Sequence, residues 1–289
     1  MIQPTKSPYL VPFDGSFRVS EAPTKPPRDA PKGKANRQRL DELVEQLDEL
    51  QRKLYAADSH AVLLVFQAMD AAGKDGAIKH VMSGVNPQGC QVFFFKQPSA
   101  EDLDHDFLWR TARCLPERGH IGIFNRSYYE EVLVVRVHPE YLTKQKLPPS
   151  VDRTRIWDDR FESIRAHEEH LAKNGTVIRK FWLDVSREEQ RERFLARLEE
   201  PEKNWKFSEG DVDEAQRWPD YMHAYEEALR ATSRPWAPWY AIPADDKDYM
   251  RVCVAEIVVQ TLRDLDPRYP EVDASRRARL AAMREALKA

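Results

Sequence analysis

The sequence predicts an α/β fold, in which a five-stranded parallel sheet carries helices on both faces. Two observations lead to this prediction. Short apolar segments that read as strands alternate with segments whose apolar residues recur every three or four positions. This alternation is typical of parallel strands joined by helical crossovers. In addition, residues 61–82 join a buried strand to a helix through a loop of small residues.

Residues 61–82 have the order of a phosphate-binding loop. The apolar run 61–66 predicts a strand, and apolar residues from Ile78 onwards take helical spacing. At such a junction, backbone N–H groups and a helix N-terminus can surround an anion, and a lysine adds positive charge. An ordinary strand-to-helix turn with a solvated lysine is the alternative interpretation. The residues predicted to bind phosphate here are Ala71, Ala72, Gly73, Lys74, Asp75 and Gly76.

The loop departs from the pattern GxxxxGK[ST] at two positions. Ala68 stands where the pattern has its first glycine, and Asp75 stands where it has Ser or Thr. The hydroxyl that normally reaches Mg²⁺ is therefore missing. Asp70 lies inside the loop, and a hard cation prefers oxygen ligands. We therefore predict Asp70 as the Mg²⁺ ligand.

Composition restricts the setting and the partners. The 289 residues include three cysteines, Cys90, Cys114 and Cys253, without the spacing of a disulfide framework or a zinc cluster. The chain shows neither a signal-peptide pattern nor a run of about 18 apolar residues. A net charge of −3 gives no general basic field, so a polyanion would need a local cluster of Lys and Arg. We expect a cytoplasmic protein with neither a membrane nor nucleic acid as partner.

The chain divides into three parts. Residues 1–36 are rich in proline and lysine, which predicts an arm that either lies on the domain or stays flexible. Residues 37–267 contain all the predicted strands, and residues 268–289 read as a charged helical tail. The first helix of the domain carries a leucine stripe from Leu40 to Leu54. Packing against the sheet and packing against a second copy of the chain explain this stripe equally well.

The remaining elements follow in order. Ser99, with Asp102 three residues later, predicts the start of a helix whose buried side extends to Cys114. Ser186 and Glu189 predict a second helix start of the same kind. The further strands are predicted at 90–95, 120–124, 176–185 and 237–243, and the further helices at 151–173, 211–232 and 251–265.

A second distinctive motif, NRSYYE, follows the strand at 120–124. In open α/β sheets ligands collect outside the carboxyl ends of the strands, so this motif should share a crevice with the Lys74 loop. Arg126 suits phosphoryl oxygens because a planar guanidinium can bind two of them at once. Asn125 and Glu130 can orient metal-bound water or a nucleotide.

A third charged segment follows the strand at 176–185. It contains the candidate phosphate-binding residues Arg193, Arg197, Lys203 and Lys206. Glutamates alternate with these cations, so a salt-bridged solvent face is the alternative interpretation.

The sequence resembles the polyphosphate kinase 2 family. The matching text is QAMDAAGKDGAIK at 67–79, VNPQGCQV at 85–92, FKQPSAEDLDHDFLWR at 95–110, GIFNRSYYEEVLVVRV at 122–137 and PEKNWKF at 201–207. The resemblance implies a P-loop kinase fold, similar to thymidylate kinase, with a basic helical lid near residues 186–212. It also implies Mg²⁺-dependent phosphoryl transfer between inorganic polyphosphate and nucleotides. The partners it implies are polyphosphate, adenine or guanine nucleotides, and further copies of the chain in a dimer or tetramer.

The resemblance also assigns provisional roles. Lys74 and the loop amides would hold phosphates, Asp70 with Asn125 and Glu130 would organise Mg²⁺ and the acceptor, and arginines at 126, 193 and 197 would offset charge. Family members that phosphorylate only diphosphates tend to carry Asp and Asn where this chain has Asn125 and Glu130. The pair found here resembles the subgroup that accepts AMP as well as ADP. Two other functions stay open, namely an ATP-dependent nucleotide kinase and a non-catalytic nucleotide or polyphosphate sensor.

Overall fold

The structure is a computed structural model that describes residues 2–206 and 210–288. A five-stranded sheet has the order β2-β3-β1-β4-β5, and all its strand pairs are parallel. This confirms the predicted fold class. The strands are β1 Ala61–Ala68, β2 Cys90–Phe94, β3 Ile121–Asn125, β4 Thr176–Asp184 and β5 Trp239–Pro243.

Eleven α-helices lie in the described residues. The four long ones are α1 Lys34–Ala57, α6 Ile156–Lys173, α9 Trp218–Thr232 and α10 Lys247–Leu265. The others are α2 Lys74–Val81, α3 Ala100–Leu103, α4 Trp109–Ala112, α5 Val134–Val137, α7 Arg187–Glu199, α8 Gly210–Gln216 and α11 Ala274–Ala286.

Two segments predicted as single helices are each divided in the structure. The predicted capping box of Ser99 and Asp102 is present, but α3 is short, and the Asp106 side chain accepts from the backbone N–H of Leu108 before α4 begins. Such a local bond competes with helix continuation. The segment 211–232 is divided at Arg217, because Pro219 suits the first turn of a helix and not its interior.

The leucine stripe of α1 is covered within the chain. Leu40, Leu43, Leu47 and Leu54 are all buried. Helix α1 packs against α10, the closing helix of the domain. The stripe therefore needs no second copy of the chain to cover it.

The proline-rich arm lies along the outer edge of β5. The backbone N–H of Val11 donates to Trp239 O at 2.9 Å, and the N–H of Ala241 donates to Tyr9 O at 2.9 Å. Leu10 and Tyr240 thus form an antiparallel bridge. This contact covers backbone groups that an edge strand would otherwise leave unpaired.

The carboxyl ends of the parallel strands lie at one edge of the sheet. Phe66 of β1 is in register with Asn125 of β3, and Ala68 of β1 is in register with Leu183 of β4. The loops that follow these strands therefore meet beside the central strand β1. None of the helices in the described residues combines the length and the apolar content needed to cross a membrane.

Candidate active site

The predicted phosphate-binding loop connects β1 to α2 through backbone conformations that favour small residues. Ala71 has φ of 63°, and Gly73, the N-cap of α2, has φ of 108°. These are left-handed conformations, which glycine adopts without a steric penalty and which a Cβ opposes. Lys74 begins α2, and its Nζ donates to Ala68 O at 2.7 Å. The lysine therefore folds back over the loop.

Lys74 is buried, with 8 % of its surface exposed. Burial lowers the pKa of its ammonium to about 8, while the nearby carboxylate of Asp70 opposes that shift. The group is still mainly protonated at pH 7. It therefore places a positive charge in a poorly solvated position, where a charge interacts strongly with an anion.

Asp70, Arg126 and Glu130 form a row of alternating charges beside the loop. Arg126 Nη2 donates to Asp70 Oδ1 at 2.9 Å, and Arg126 Nη1 lies 3.7 Å from Glu130 Oε2. Burial acts to raise the pKa of Asp70, but the charges of Lys74 and Arg126 outweigh it and lower that pKa. Burial raises the pKa of Glu130 despite the neighbouring Arg126. The carboxylates fix the direction in which the guanidinium points.

Asn125, the last residue of β3, contacts the first turn of α2. Its Nδ2 donates to Asp75 Oδ1 at 2.7 Å. Asn125 is buried, whereas Asp75 is exposed. The buried Oδ1 of Asn125 has no hydrogen-bond partner among the described residues. Buried polar atoms rarely stay unpaired, so an unpaired one beside a carboxylate suits a ligand.

The oxygen atoms of these side chains suit Mg²⁺, which also takes ligands from substrate and water, better than a metal held by protein side chains alone. The described residues contain no group of three or more His, Cys, Asp or Glu that could hold a metal. Mg²⁺ in phosphoryl-transfer sites is typically held by one or two carboxylates together with substrate phosphates and water. The carboxylates of Asp70 and Asp75 meet that requirement.

The predicted lid residues take different positions. Arg193 is buried, and its guanidinium donates to backbone carbonyls of the loop. Arg197 Nη1 lies 3.7 Å from Asp211 Oδ2, which joins α7 to α8. The backbones of Lys203 and Lys206 belong to the 3-10 helix Pro201–Lys206, but their side chains lie outside what the structure describes.

Two cavities adjoin Arg126 and Glu130. One, of about 150 Å³, lies between the loop and helices α7 to α9, and Tyr221 and Tyr225 form part of its wall. The other, of about 210 Å³, lies on the β2 side of the site. The cations of the second cavity, which sequence reasoning did not assign to the site, are Lys96, Arg110 and Lys144.

A buried polar network supports the NRSYYE motif from below. Tyr128 and Tyr129 each donate to Glu168 Oε1 at 2.9 Å. Lys180 Nζ donates to Glu168 Oε2 at 2.7 Å and to the Tyr129 hydroxyl at 2.8 Å. The Lys180 and Glu168 side chains are completely buried. Sequence reasoning missed this network, although a lysine within an apolar strand indicates a buried partner.

The comparison with protein families shows which family the chain belongs to. The family model for polyphosphate kinase 2 matches residues 31–270. The chain belongs to the polyphosphate kinase 2 family. The crystal structure of polyphosphate kinase 2 from Arthrobacter aurescens TC1 is similar, with a TM-score of 0.85 and 36 % identity over 93 % of each chain. The fold is therefore the P-loop kinase fold, as the resemblance predicted.

Two relatives are similar in sequence to this chain over most of their length. An ADP-polyphosphate phosphotransferase from Rhodopseudomonas palustris is 58 % identical over 245 residues, which cover 84 % of this chain and 85 % of that protein. An AMP/ADP-polyphosphate phosphotransferase from Meiothermus ruber is 46 % identical over 233 residues, which cover 81 % of this chain and 83 % of that protein.

Proposed function

We propose that this protein is a phosphotransferase that moves phosphoryl groups between inorganic polyphosphate and nucleotides, making ATP from ADP. The proposal rests on one observation. The buried ammonium of Lys74 lies close enough to the charged row of Asp70, Arg126 and Glu130 to interact with it electrostatically. Family membership and the names of both relatives support the choice of polyphosphate as donor.

The residues act by holding charge in fixed positions. Phosphoryl transfer needs little covalent help from the protein, so positioning and charge stabilisation supply most of the catalysis. Lys74 and the loop amides hold phosphates of the donor. Arg126, fixed between Asp70 and Glu130, faces the group that is transferred. Glu130 lines both cavities and lies at the acceptor end. No covalent enzyme intermediate is required.

Asp70 is the proposed Mg²⁺ ligand, and the exposed carboxylate of Asp75 is a second candidate. Bound Mg²⁺ would neutralise charge on the phosphate oxygens. Asn125 holds one oxygen of Asp75, and within the described residues no hydrogen bond engages the other oxygen of that carboxylate.

Residues 186–212 form the proposed lid of the catalytic domain, 37–267. Closure over phosphates excludes water and so limits hydrolysis. Arg197, Lys203 and Lys206 are the proposed phosphate-binding cations of this segment. The arm, 1–36, and the tail, 268–289, flank the domain.

AMP is the proposed second acceptor. The names of the two relatives differ on this point, since one names ADP alone and the other names AMP and ADP. The pair Asn125 and Glu130 favours acceptance of both. We also propose a dimer or tetramer. Only the family resemblance supports this proposal, since the leucine stripe of α1 is buried within the chain and is not free to pack against a second copy.

The test supplies AMP or ADP with one donor at a time, either long-chain polyphosphate or ATP, and follows the nucleotides by chromatography. We expect ATP from ADP, and ADP and then ATP from AMP, only with polyphosphate. Transfer from ATP to AMP without polyphosphate would favour the ATP-dependent kinase. Binding without turnover of any donor would favour the sensor.

A further inference from the structure

Two side chains of α7 hold three consecutive carbonyl groups of the phosphate-binding loop. Gln190 Nε2 donates to Asp70 O at 2.9 Å. One turn later, Arg193 Nη1 donates to Ala71 O at 3.1 Å and to Ala72 O at 2.8 Å. Gln190 and Arg193 are both buried. We call this pair the loop clamp.

The remaining donors of Arg193 are also used inside the protein. Nη2 donates to Ala244 O at 2.7 Å and to Asp245 O at 2.9 Å, and Nε donates to Glu189 Oε1 at 2.7 Å. A guanidinium has five N–H groups. Within the described part of the chain, these contacts and the two loop carbonyls engage all five. No N–H of Arg193 is left for a phosphate in this conformation.

Holding the carbonyls also determines where the loop amides point. In a trans peptide the C=O and the N–H of one unit point in opposite directions. The carbonyls of residues 70–72 therefore set the N–H directions of residues 71–73. The N–H of Ala72 donates to Met69 O at 3.2 Å, so the amides of this segment that can face an anion are those of Ala71 and Gly73. A phosphate-binding loop works by directing N–H groups at the anion, so carbonyls held on the far side preserve that arrangement.

The clamp also holds Ala71 in a backbone conformation that alanine does not favour. Ala71 has φ of 63°, in the left-handed region that a Cβ opposes. Such a conformation persists only when the surroundings impose it. The bond from Arg193 to the Ala71 carbonyl supplies one such constraint.

We propose that Arg193, assisted by Gln190, is a positioning residue that keeps the N–H groups of Ala71 and Gly73 directed at the phosphate, in place of the direct phosphate contact expected from the sequence. The inference rests on the proposed function, because it takes polyphosphate as the anion.

The test compares R193A with the double variant R193A/A71G. Loss of the clamp should lower kcat/KM for polyphosphate about 100-fold. Glycine at 71 accepts the left-handed conformation without the clamp, so kcat/KM of the double variant should be about tenfold higher than that of R193A. The rescue is calculated relative to the A71G single variant, which is measured in parallel. The matched control is R191A, on the exposed face of the same helix, which should retain wild-type activity.

A direct phosphate contact by Arg193 predicts no rescue by A71G, and that result would overturn the proposal. Hydrogen exchange of the 69–76 segment without substrate gives a second readout that needs no activity. It should be faster in R193A and unchanged in R191A, whereas equal exchange in both would also overturn the proposal. If the wild-type protein shows no transfer, the proposed function fails while the exchange experiment still tests the clamp. Q190A, which removes only the bond to Asp70 O, provides the same exchange test if R193A does not fold.

Discussion

The side-chain amide of Asn125 donates to the carboxylate of Asp75 across 2.7 Å. This bond joins the end of β3 to the first turn of α2, and so joins the two motifs that the sequence marks as functional. Asp75 occupies the position at which a phosphate-binding loop usually has a hydroxyl residue. The bond therefore orients a carboxylate where such loops usually place a Mg²⁺ ligand.

Asn125→Ala should weaken the enzyme's use of Mg²⁺. Without its donor the Asp75 carboxylate is no longer held in one orientation, and the loss of one such bond is worth about 1 kcal/mol, or about fivefold. We expect the Mg²⁺ concentration for half-maximal activity to rise by about that factor, measured by Mg²⁺ titration at saturating polyphosphate. Asp75→Asn should raise it further. An unchanged Mg²⁺ requirement in both variants would show that Asp75 has no part in binding the cation.

Acceptor choice should depend on Asn125 and Glu130 together. The double variant N125D/E130N gives the chain the pair that the family resemblance associates with members that phosphorylate only diphosphates. Glu130 lines both cavities, so a shorter uncharged side chain there alters the walls of the proposed acceptor end. We expect the ratio of kcat/KM for AMP to that for ADP to fall at least about tenfold. An unchanged ratio, with both nucleotides measured in parallel, would contradict the subgroup assignment.

The buried pair of Lys180 and Glu168 should be important for stability. Lys180→Met leaves the Glu168 carboxylate without its partner in the core, a change that typically costs about 3–5 kcal/mol. Urea denaturation should show that loss in the free energy of unfolding. Lys173→Met, at the exposed ion pair with Glu169, is the control and should cost less than about 0.5 kcal/mol. Glu168→Gln added to Lys180→Met should recover part of the loss, and a further loss in that double variant would contradict this account.

Titration of the Asp184 carboxyl should lower the free energy of unfolding as the pH rises. This last residue of β4 is 4 % exposed, and its Oδ2 has no hydrogen-bond partner among the described residues. Burial, with a smaller effect from the charge of Asp245, raises its pKa to about 8. The unfolded pKa is about 4, so between pH 4 and 8 the folded state binds a proton that the unfolded state lacks. The free energy of unfolding therefore decreases across that window.

Asp184→Asn removes this titration and should stabilise the protein more at pH 8.5 than at pH 5, by about 4 kcal/mol. Urea denaturation of both proteins at the two pH values measures the difference. A gain of equal size at both pH values would show that the folded carboxyl is not protonated in this range.

The sequence was a good guide to the sheet because each strand is a short apolar run between turn residues. It also located the loop, since Gly73 and Lys74 stand directly between a strand pattern and a helix pattern. Residues 211–232 form two helices and not the single predicted one, because Pro219 suits the first turn of a helix but not its interior, whereas apolar spacing carries no signal for that break.

The partners of buried charges were harder to predict. Lys180 and Glu168 meet through tertiary packing alone, from β4 and α6, and no sequence spacing relates them. Arg193 reads as a free cation in the sequence, whereas the structure surrounds it with carbonyls from two loops. Those carbonyls belong to the backbone, which carries no residue-specific signal.

The most direct test of the central claim is ATP formation from ADP and long-chain polyphosphate by the wild-type protein and by Lys74→Ala. We predict polyphosphate-dependent ATP synthesis that falls at least about 100-fold in the variant, because the buried ammonium stabilises charge during transfer. Lys79→Ala, on the exposed side of the same helix, should match the wild type. Full activity in Lys74→Ala, or no ATP from the wild-type protein, would contradict the account.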